Sequence, residues 1–376
     1  MIYFDNSATT YPKPVSVRYS VENALKRYSF NSGRGGYRES LKTSEKLFSV
    51  REKIGMMFNC RAENVVFTKN CTEALNLAIK SYAKRGGHII ISSLEHNSVA
   101  RVVHKLYENI GIEYTVVPFS FDVKRTLNRF EKAVRGNTNL AVFTAASNVF
   151  GVTLPIKEIG QICKEKGIRF VVDAAQAAGV IPIDMKGCNI DSLCAPGHKA
   201  LMGPLGTGFA AFKSDKNVVP LLEGGTGSSS LSLKQPSFLP DSAEAGTLNN
   251  IGIIGLGAGL DYLKRKGINN IYNHEMKLLC YLYEKLSSFK DVKLYTPKPE
   301  AERYVPVMSF NYGDYSSEDT ALKLSKMGIC LRAGYHCSPL AHKHFNTLDK
   351  GTVRISLSAF NSLKDCNSFI NSVKKL

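Results

Sequence analysis

The sequence predicts an α/β protein: a mostly parallel sheet covered by helices on both faces, followed by a smaller α+β unit. Three observations carry this. Short apolar runs alternate with amphipathic helical stretches from about residue 47 to residue 200. The alternation breaks over residues 214–249, which carry Gly224-Gly225-Thr226-Gly227-Ser228-Ser229-Ser230 and several prolines. Beyond the break, two long helical patterns lead into short strands and helices in α+β order.

The elements follow in chain order. Leu47, Val50, Ile54 and Met57 recur at helical spacing. Residues 64–68, 88–92, 140–145, 170–173 and 190–195 read as strands. They are near-continuous apolar runs, as expected of strands buried on both faces. Residues 72–83, 98–110 and 156–166 read as the helices between them. After the irregular segment, residues 251–264 and 270–286 read as two helices. The expected division is a large domain over 15–250 and a small α+β domain over 251–376, joined by residues 1–14.

The chain has 376 residues, 44% hydrophobic and 22% charged, ample for a large core. The longest uncharged run of apolar residues and glycine covers only 251–260, short of the ~20 residues a membrane span needs. The opening Met1-Ile2-Tyr3-Phe4-Asp5-Asn6 has neither a basic nor an apolar leader region. Nine cysteines are scattered without a CxxC pair, which suits reduced thiols. Together these predict a cytoplasmic protein without a membrane partner. The net charge of +17 fits a lysine-rich solvated surface or an acidic partner. The charges are dispersed and no nucleic-acid-binding motif is present, so no nucleic acid is expected. The bland reading of this surface is the solvated one; a non-enzymatic basic binding protein stands as a second alternative function.

Three runs carry chemistry. Ala195-Pro196-Gly197-His198-Lys199 sets an amine at a strand end beside tight backbone. Val171-Val172-Asp173-Ala174-Ala175-Gln176 ends a buried strand on a carboxylate, which needs a cation such as a protonated ring nitrogen. Arg332-Ala333-Gly334-Tyr335-His336-Cys337 puts a thiol on a loop. Amine, carboxylate and delivered thiol are the parts of a pyridoxal phosphate (PLP) enzyme that attacks sulfur. Asn70-Cys71-Thr72-Glu73 passes from strand to helix, and the N–H groups of Cys71 and Thr72 with the helix dipole make an anion site. Asn70 and Glu73 also form an ordinary capping pair. His96 and Asn148 fall at two further strand ends, the ligand-binding edge of open α/β sheets. His96 could stack on a flat ring, and Gln176 could reach a ring hydroxyl oxygen. Arg354 lies in a strand-like alternation and has the planar fork that suits a carboxylate. His336, Cys337, His342 and His344 match no zinc spacing, so no metal is expected.

With these residues assembled, the chain resembles the class V aminotransferase-like PLP enzymes, and among them the cysteine desulfurases. The resemblance rests on Tyr3-Phe4-Asp5-Asn6-Ser7-Ala8-Thr9-Thr10, Cys71-Thr72-Glu73-Ala74, Glu95-His96-Asn97, Ser147-Asn148, Asp173-Ala174-Ala175-Gln176, Gly197-His198-Lys199, Glu244-Ala245-Gly246-Thr247, the Arg332–Cys337 run and Val353-Arg354-Ile355-Ser356. It spans essentially the whole chain. The short Arg-x-Gly-x-His-Cys element is similar to that of the second desulfurase group. The resemblance implies an aspartate-aminotransferase-type fold (fold type I) and a homodimer. It implies that Lys199, Cys337 and His96 are catalytic. PLP would be held by Cys71, Thr72, His96, Asn148, Asp173, Gln176, His198, Lys199 and a Thr247 reaching across a two-fold axis. Asn148, Arg332 and Arg354 would bind substrate, with Arg332 and His336 favouring the Cys337 thiolate. The implied reaction turns L-cysteine into L-alanine and a Cys337 persulfide, destined for a sulfur-acceptor protein. Action on L-selenocysteine, or another class V lyase or aminotransferase reaction, is the alternative. Pro196 stands where relatives often have Ser or Thr, and Leu248 where many have proline; both mark an outlying subgroup.

Overall fold

The computed structural model describes residues 1–376 apart from Arg34. In chain order the elements are β1 (Ile2–Tyr3), α1 (Val15–Arg27), α2 (Arg38–Phe58), β2 (Val65–Thr68), α3 (Cys71–Tyr82), β3 (His88–Ser92), α4 (Asn97–Ile110), β4 (Glu113–Val117), α5 (Val123–Ala133), β5 (Thr138–Thr144), α6 (Ile156–Lys166), β6 (Arg169–Asp173), β7 (Ser192–Pro196), β8 (Gly208–Phe212), α7 (Asn250–Lys266), α8 (Ile268–Ser287), β9 (Val292–Leu294), β10 (Val307–Tyr312), α9 (Ser317–Lys326), β11 (Ile329–Cys330), α10 (Pro339–His344), β12 (Val353–Ser356) and α11 (Leu363–Val373). The elements expected from the sequence are present, with ends shifted by a few residues. Several were not read from it, among them β1, α1, β4, α5 and β8. β4 is a half-exposed edge strand, α5 buries only Thr126 and Phe130, and β8 is five small or aromatic residues opening on glycine. Each has too weak an apolar period to announce itself.

A seven-stranded sheet runs in the order β2-β8-β7-β6-β5-β3-β4. β3, β4, β5, β6 and β7 pair in parallel, and β8 runs antiparallel to both β7 and β2. Alternate residues of its strands enter two separate cores. Ile89, Ile91, Leu140, Val142 and Val171 pack on one face. Ile90, Ala141, Phe143, Phe170 and Val172 pack on the other. Each fully buried large side chain contributes roughly 1.5–3 kcal/mol, so burial on both faces makes this sheet the stable frame. The parallel register brings Thr144, Asp173 and Cys194 side by side. The carboxyl ends of β2, β3, β5, β6 and β7 therefore share one edge.

The C-terminal part holds a three-stranded antiparallel sheet, β12-β10-β9. β1 pairs in parallel with β11, and Asn6 and Ser7 bond Ser356 at the end of β12. The chain's first residues are thus pinned to its last strand.

Residues 214–249 hold only one short turn of helix, Asp241–Ala243, and leave Leu231 and Leu233 fully exposed. Glu244 anchors the segment. Its carboxylate takes Arg51 through two N–H···O contacts of 2.6 and 2.8 Å and accepts the Phe67 N–H at 2.6 Å. Both side chains are buried, and the guanidinium lies 4.3 Å from the Phe67 ring centre. Removing one partner of such a pair leaves a buried, uncompensated charge. Glu244→Ala should therefore cost about 3–5 kcal/mol of stability, measured by denaturant unfolding. A loss below ~1 kcal/mol would show that the anchor is dispensable.

Candidate active site

The shared sheet edge gathers Cys71, His96, Asn148, Asp173 and Lys199. α3 begins at Cys71, three residues beyond the end of β2. Asn70 caps it by accepting the Glu73 N–H at 2.9 Å, and Glu73 returns to the Lys69 N–H at 2.6 Å. The cap leaves the first-turn N–H groups of Cys71 and Thr72 to an anion. The expected capping pair is formed, and it is compatible with the expected anion site.

Asp173 is 2% exposed at the end of β6. Its Oδ1 accepts the Ala175 N–H at 2.8 Å and faces the Cys71 thiol at 3.6 Å. Burial pushes the carboxyl up, opposed by the Ala175 N–H and by the Lys199 amine. The same burial pushes the Lys199 amine down from its ordinary value, against the pull of Asp173. A desolvated amine of this kind is biased toward the neutral, basic form. Beside it, burial and the Lys199 charge hold His198 at about 4, and His198 Nδ1 is buried without a partner.

His96 caps α4. Its Nδ1 accepts the Ser98 N–H at 3.1 Å and lies 2.8 Å from Ser98 Oγ. That bond assigns the ring proton to Nε2. Burial first, then the Lys199 and Arg332 charges, lower its pKa to about 4, so the ring is neutral near pH 7. Glu95, which sequence reasoning quoted but gave no task, sets this position. Fully buried, it accepts the Thr144 N–H at 2.8 Å and the Ser92 hydroxyl at 2.5 Å. It thereby ties the ends of β3 and β5. The serine at the strand end, three residues before the glutamate, was the legible signal.

The thiol loop is locked in an unusual backbone. His336 and Cys337 both have left-handed φ, at 50° and 56°. Such positions cost about 1–3 kcal/mol each for non-glycine residues and persist only where neighbours over-determine them. Here the Asn97 N–H donates to Cys337 O at 2.7 Å, and Asn148 Nδ2 to His336 O at 2.8 Å. Ser338 Oγ donates to Asn148 Oδ1 at 2.7 Å. Asn148 thus uses both ends of its amide to hold the loop. Among the described cysteines, Cys337 alone is exposed, and Arg332 lies 3.8 Å from its sulfur. The expectation that His336 adds positive charge is corrected. His336 is 3% exposed, and burial and Arg354 hold it neutral, at about 2. Its ring stacks on His342 at 5.8 Å. Arg332 is the cation at the thiol.

Arg354, on β12, is fully buried. Its guanidinium reaches Asp5 at 2.5 Å and the Asn148 carbonyl at 3.0 Å. Gln176 donates to Ser7 O at 3.2 Å and lines one buried cleft with Lys199, Asn6, Thr10 and Glu275. Thr247 is exposed and lines a different recess, with Thr68, Lys69 and Glu73. Among the described residues no group of three or more His, Cys, Asp or Glu is arranged to hold a metal, and no helix is long and apolar enough to cross a membrane. A helix end with open N–H groups, a buried carboxylate with no lysine or arginine bonded to it among the described residues, and a desolvated amine suit a flat phosphorylated pyridine aldehyde. The donor set fits PLP.

Two buried glutamates make stability depend on pH. Burial pushes Glu95 and Glu275 up to about 8 from 4.5. Between those values the folded state binds more protons than the unfolded one, so stability is lost as pH rises toward 8. The depressed histidines act oppositely, but only below about 6.5. Glu275→Gln should therefore flatten the fall in denaturation midpoint between pH 6.5 and 8 relative to the unsubstituted protein. Parallel pH profiles for the two proteins would refute the assignment.

Comparison with known proteins agrees with this geometry. The aminotransferase class-V family model matches residues 2–369. A "Probable cysteine desulfurase" of Methanothermobacter thermautotrophicus is 34% identical over 373 residues, covering 97% of this chain and 92% of the relative. One from Pyrococcus abyssi is 33% identical, covering 100% and 94%. The solved apo structure of a cysteine desulfurase from Thermococcus onnurineus NA1 superposes with a TM-score of 0.92 at 32% identity, covering 100% of this chain and 95% of that one. With the strand-end cluster in place and the match running from end to end, the chain belongs to the class V aminotransferase family and, within it, to the cysteine desulfurases.

Proposed function

We propose that the protein is a PLP-dependent enzyme that moves sulfur from L-cysteine onto Cys337 and releases L-alanine. The observation that carries this is the exposed thiol of Cys337, held on a strained and fully tethered loop beside Arg332. A strained loop fixed this firmly suits delivery of a nucleophile to one place.

Cys71, Thr72 and the α3 dipole would hold the cofactor phosphate, and Asp173 the ring nitrogen. Gln176 would face the ring hydroxyl oxygen, His96 the ring face, and Lys199, beside His198, the aldehyde carbon. Bound there, PLP supplies an electron sink for charge that develops on the substrate. The protein's own groups do the rest. Arg354 takes the substrate carboxylate and fixes which bond faces Lys199. The neutral Lys199 amine accepts the α-proton. His96 Nε2–H serves as donor near the substrate sulfur. Arg332 lies 3.8 Å from the Cys337 sulfur, and the species that attacks is the thiolate. That thiolate attacks the substrate sulfur: an S–S bond forms as the S–Cβ bond breaks, and Cβ takes up a proton. L-cysteine and the Cys337 thiol become L-alanine and a Cys337 persulfide, with no outside oxidant. Asn148 acts here by holding the loop.

A homodimer would place Thr247 from the second copy beside the phosphate; the exposed Leu231 and Leu233 support this reading. We read residues 15–250 as the cofactor domain, and 251–376 with 1–14 as the domain that brings Arg354 and Cys337. An exposed persulfide also implies a sulfur-acceptor protein in the cytoplasm.

Two experiments test the assignment. Borohydride reduction of the PLP-loaded protein should fix the cofactor to Lys199, located by peptide mass spectrometry; an adduct on another lysine sinks the site. Cys337→Ser should keep the cofactor's visible spectrum and lose the protein persulfide formed from L-cysteine. A persulfide mapping to Cys71 or Cys194 would disprove the role of Cys337. Full retention of selenide release from L-selenocysteine in the same variant would favour the selenocysteine lyase reading.

A further inference from the structure

Arg354 is not an empty clamp. Of its five N–H donors, one on Nη2 is given to Asp5 Oδ1 at 2.5 Å and one on Nη1 to the Asn148 carbonyl at 3.0 Å. Nε is buried and has no partner. A buried donor with nothing to bond is costly and uncommon in a settled core. Here it belongs to a guanidinium with three donors left and a second cation nearby. Arg332 bridges Arg354 across the backbone, the Arg354 N–H donating to Arg332 O at 2.8 Å, and Arg332 pairs with no carboxylate among the described residues. Two cations and one carboxylate leave a single net positive charge, matched to one carboxylate ligand.

Asp5 is itself held in place. It follows β1 and bridges Ser356, while the Asn6 side chain and the Ser7 N–H bond Ser356 at 3.0 and 2.8 Å. Its side chain is 21% exposed, against 1% for Arg354. The N-terminal segment thus carries a carboxylate onto the inner end of the guanidinium.

We propose that Asp5 is a positioning residue for substrate. It aims Arg354 so that Nε–H and a neighbouring N–H remain for the substrate carboxylate, and its charge weakens that carboxylate's hold so that the product can leave. This rests on the reading of Arg354 as the carboxylate clamp. Asparagine at position 5 would keep the acceptor oxygen that aims Arg354 and remove the competing charge. Alanine would remove both.

The test uses PLP-loaded protein, equilibrium binding of L-alanine by titration calorimetry, and KM and kcat for L-cysteine. Asp5→Asn should bind L-alanine at least tenfold more tightly, since removing one unit charge at close range in an effective dielectric near ~20 can be worth far more than tenfold. Its KM should fall while kcat does not rise. Asp5→Ala should lose most of that gain. Unchanged or weaker L-alanine binding in Asp5→Asn overturns the proposal, as does equal binding in the two variants. A purely structural Asp5 would shift the melting temperature and leave KM and L-alanine affinity alone. Should Asp5→Ala fail to fold, the sign of the near-isosteric Asp5→Asn effect still decides. Arg354→Lys is the control. If it leaves L-alanine binding unchanged, the clamp reading fails; if it weakens binding while Asp5→Asn has no effect, only the role of Asp5 fails.

Discussion

In a parallel sheet every strand must run the same way, so every carboxyl end arrives at the same edge. The rest of this site depends on that constraint. Thr144, Asp173 and Cys194 are neighbours because of register, and Glu95 draws the ends of β3 and β5 together. The loops leaving these ends carry Cys71, His96, Asn148 and Lys199 over one small area. No local sequence preference could bring residues from so many segments together. The two-faced apolar core does, and the polar groups are carried by it.

That gathering has an electrostatic cost. Asp173, Lys199, His96 and His198 all lie where burial opposes their ionised forms. Neutral imidazoles can sit close to Arg332 and Arg354 where imidazolium ions could not. The arginines have partners or solvent: Arg354 on Asp5, Arg51 on Glu244, and Arg332 at the open thiol loop.

Much of this was legible in the sequence. Val171-Val172-Asp173 displays a buried strand ending in a carboxylate, and Gly197-His198-Lys199 displays its amine. Both need only local pattern. What stayed hidden was pairing over distance. The task of Asn148 as loop holder depends on His336, 188 positions away. His336 looked cationic because a histidine beside a thiol usually suggests it; only its depth against Arg354 and His342 makes it neutral. β4, α5 and β8 were missed because they pack a few side chains on elements that already have strong periods.

The bond from Asn6 Nδ2 to Ser356 O spans 350 residues, and Asp5 meets Arg354 across 349. During synthesis Asp5 is made long before Arg354. During most of synthesis the large sheet can assemble, because its strands lie in sequence between residues 65 and 212. The thiol loop and the carboxylate clamp cannot yet exist. Lys199 is therefore made before Cys337, and on the proposed roles the nascent chain has its amine well before its nucleophile.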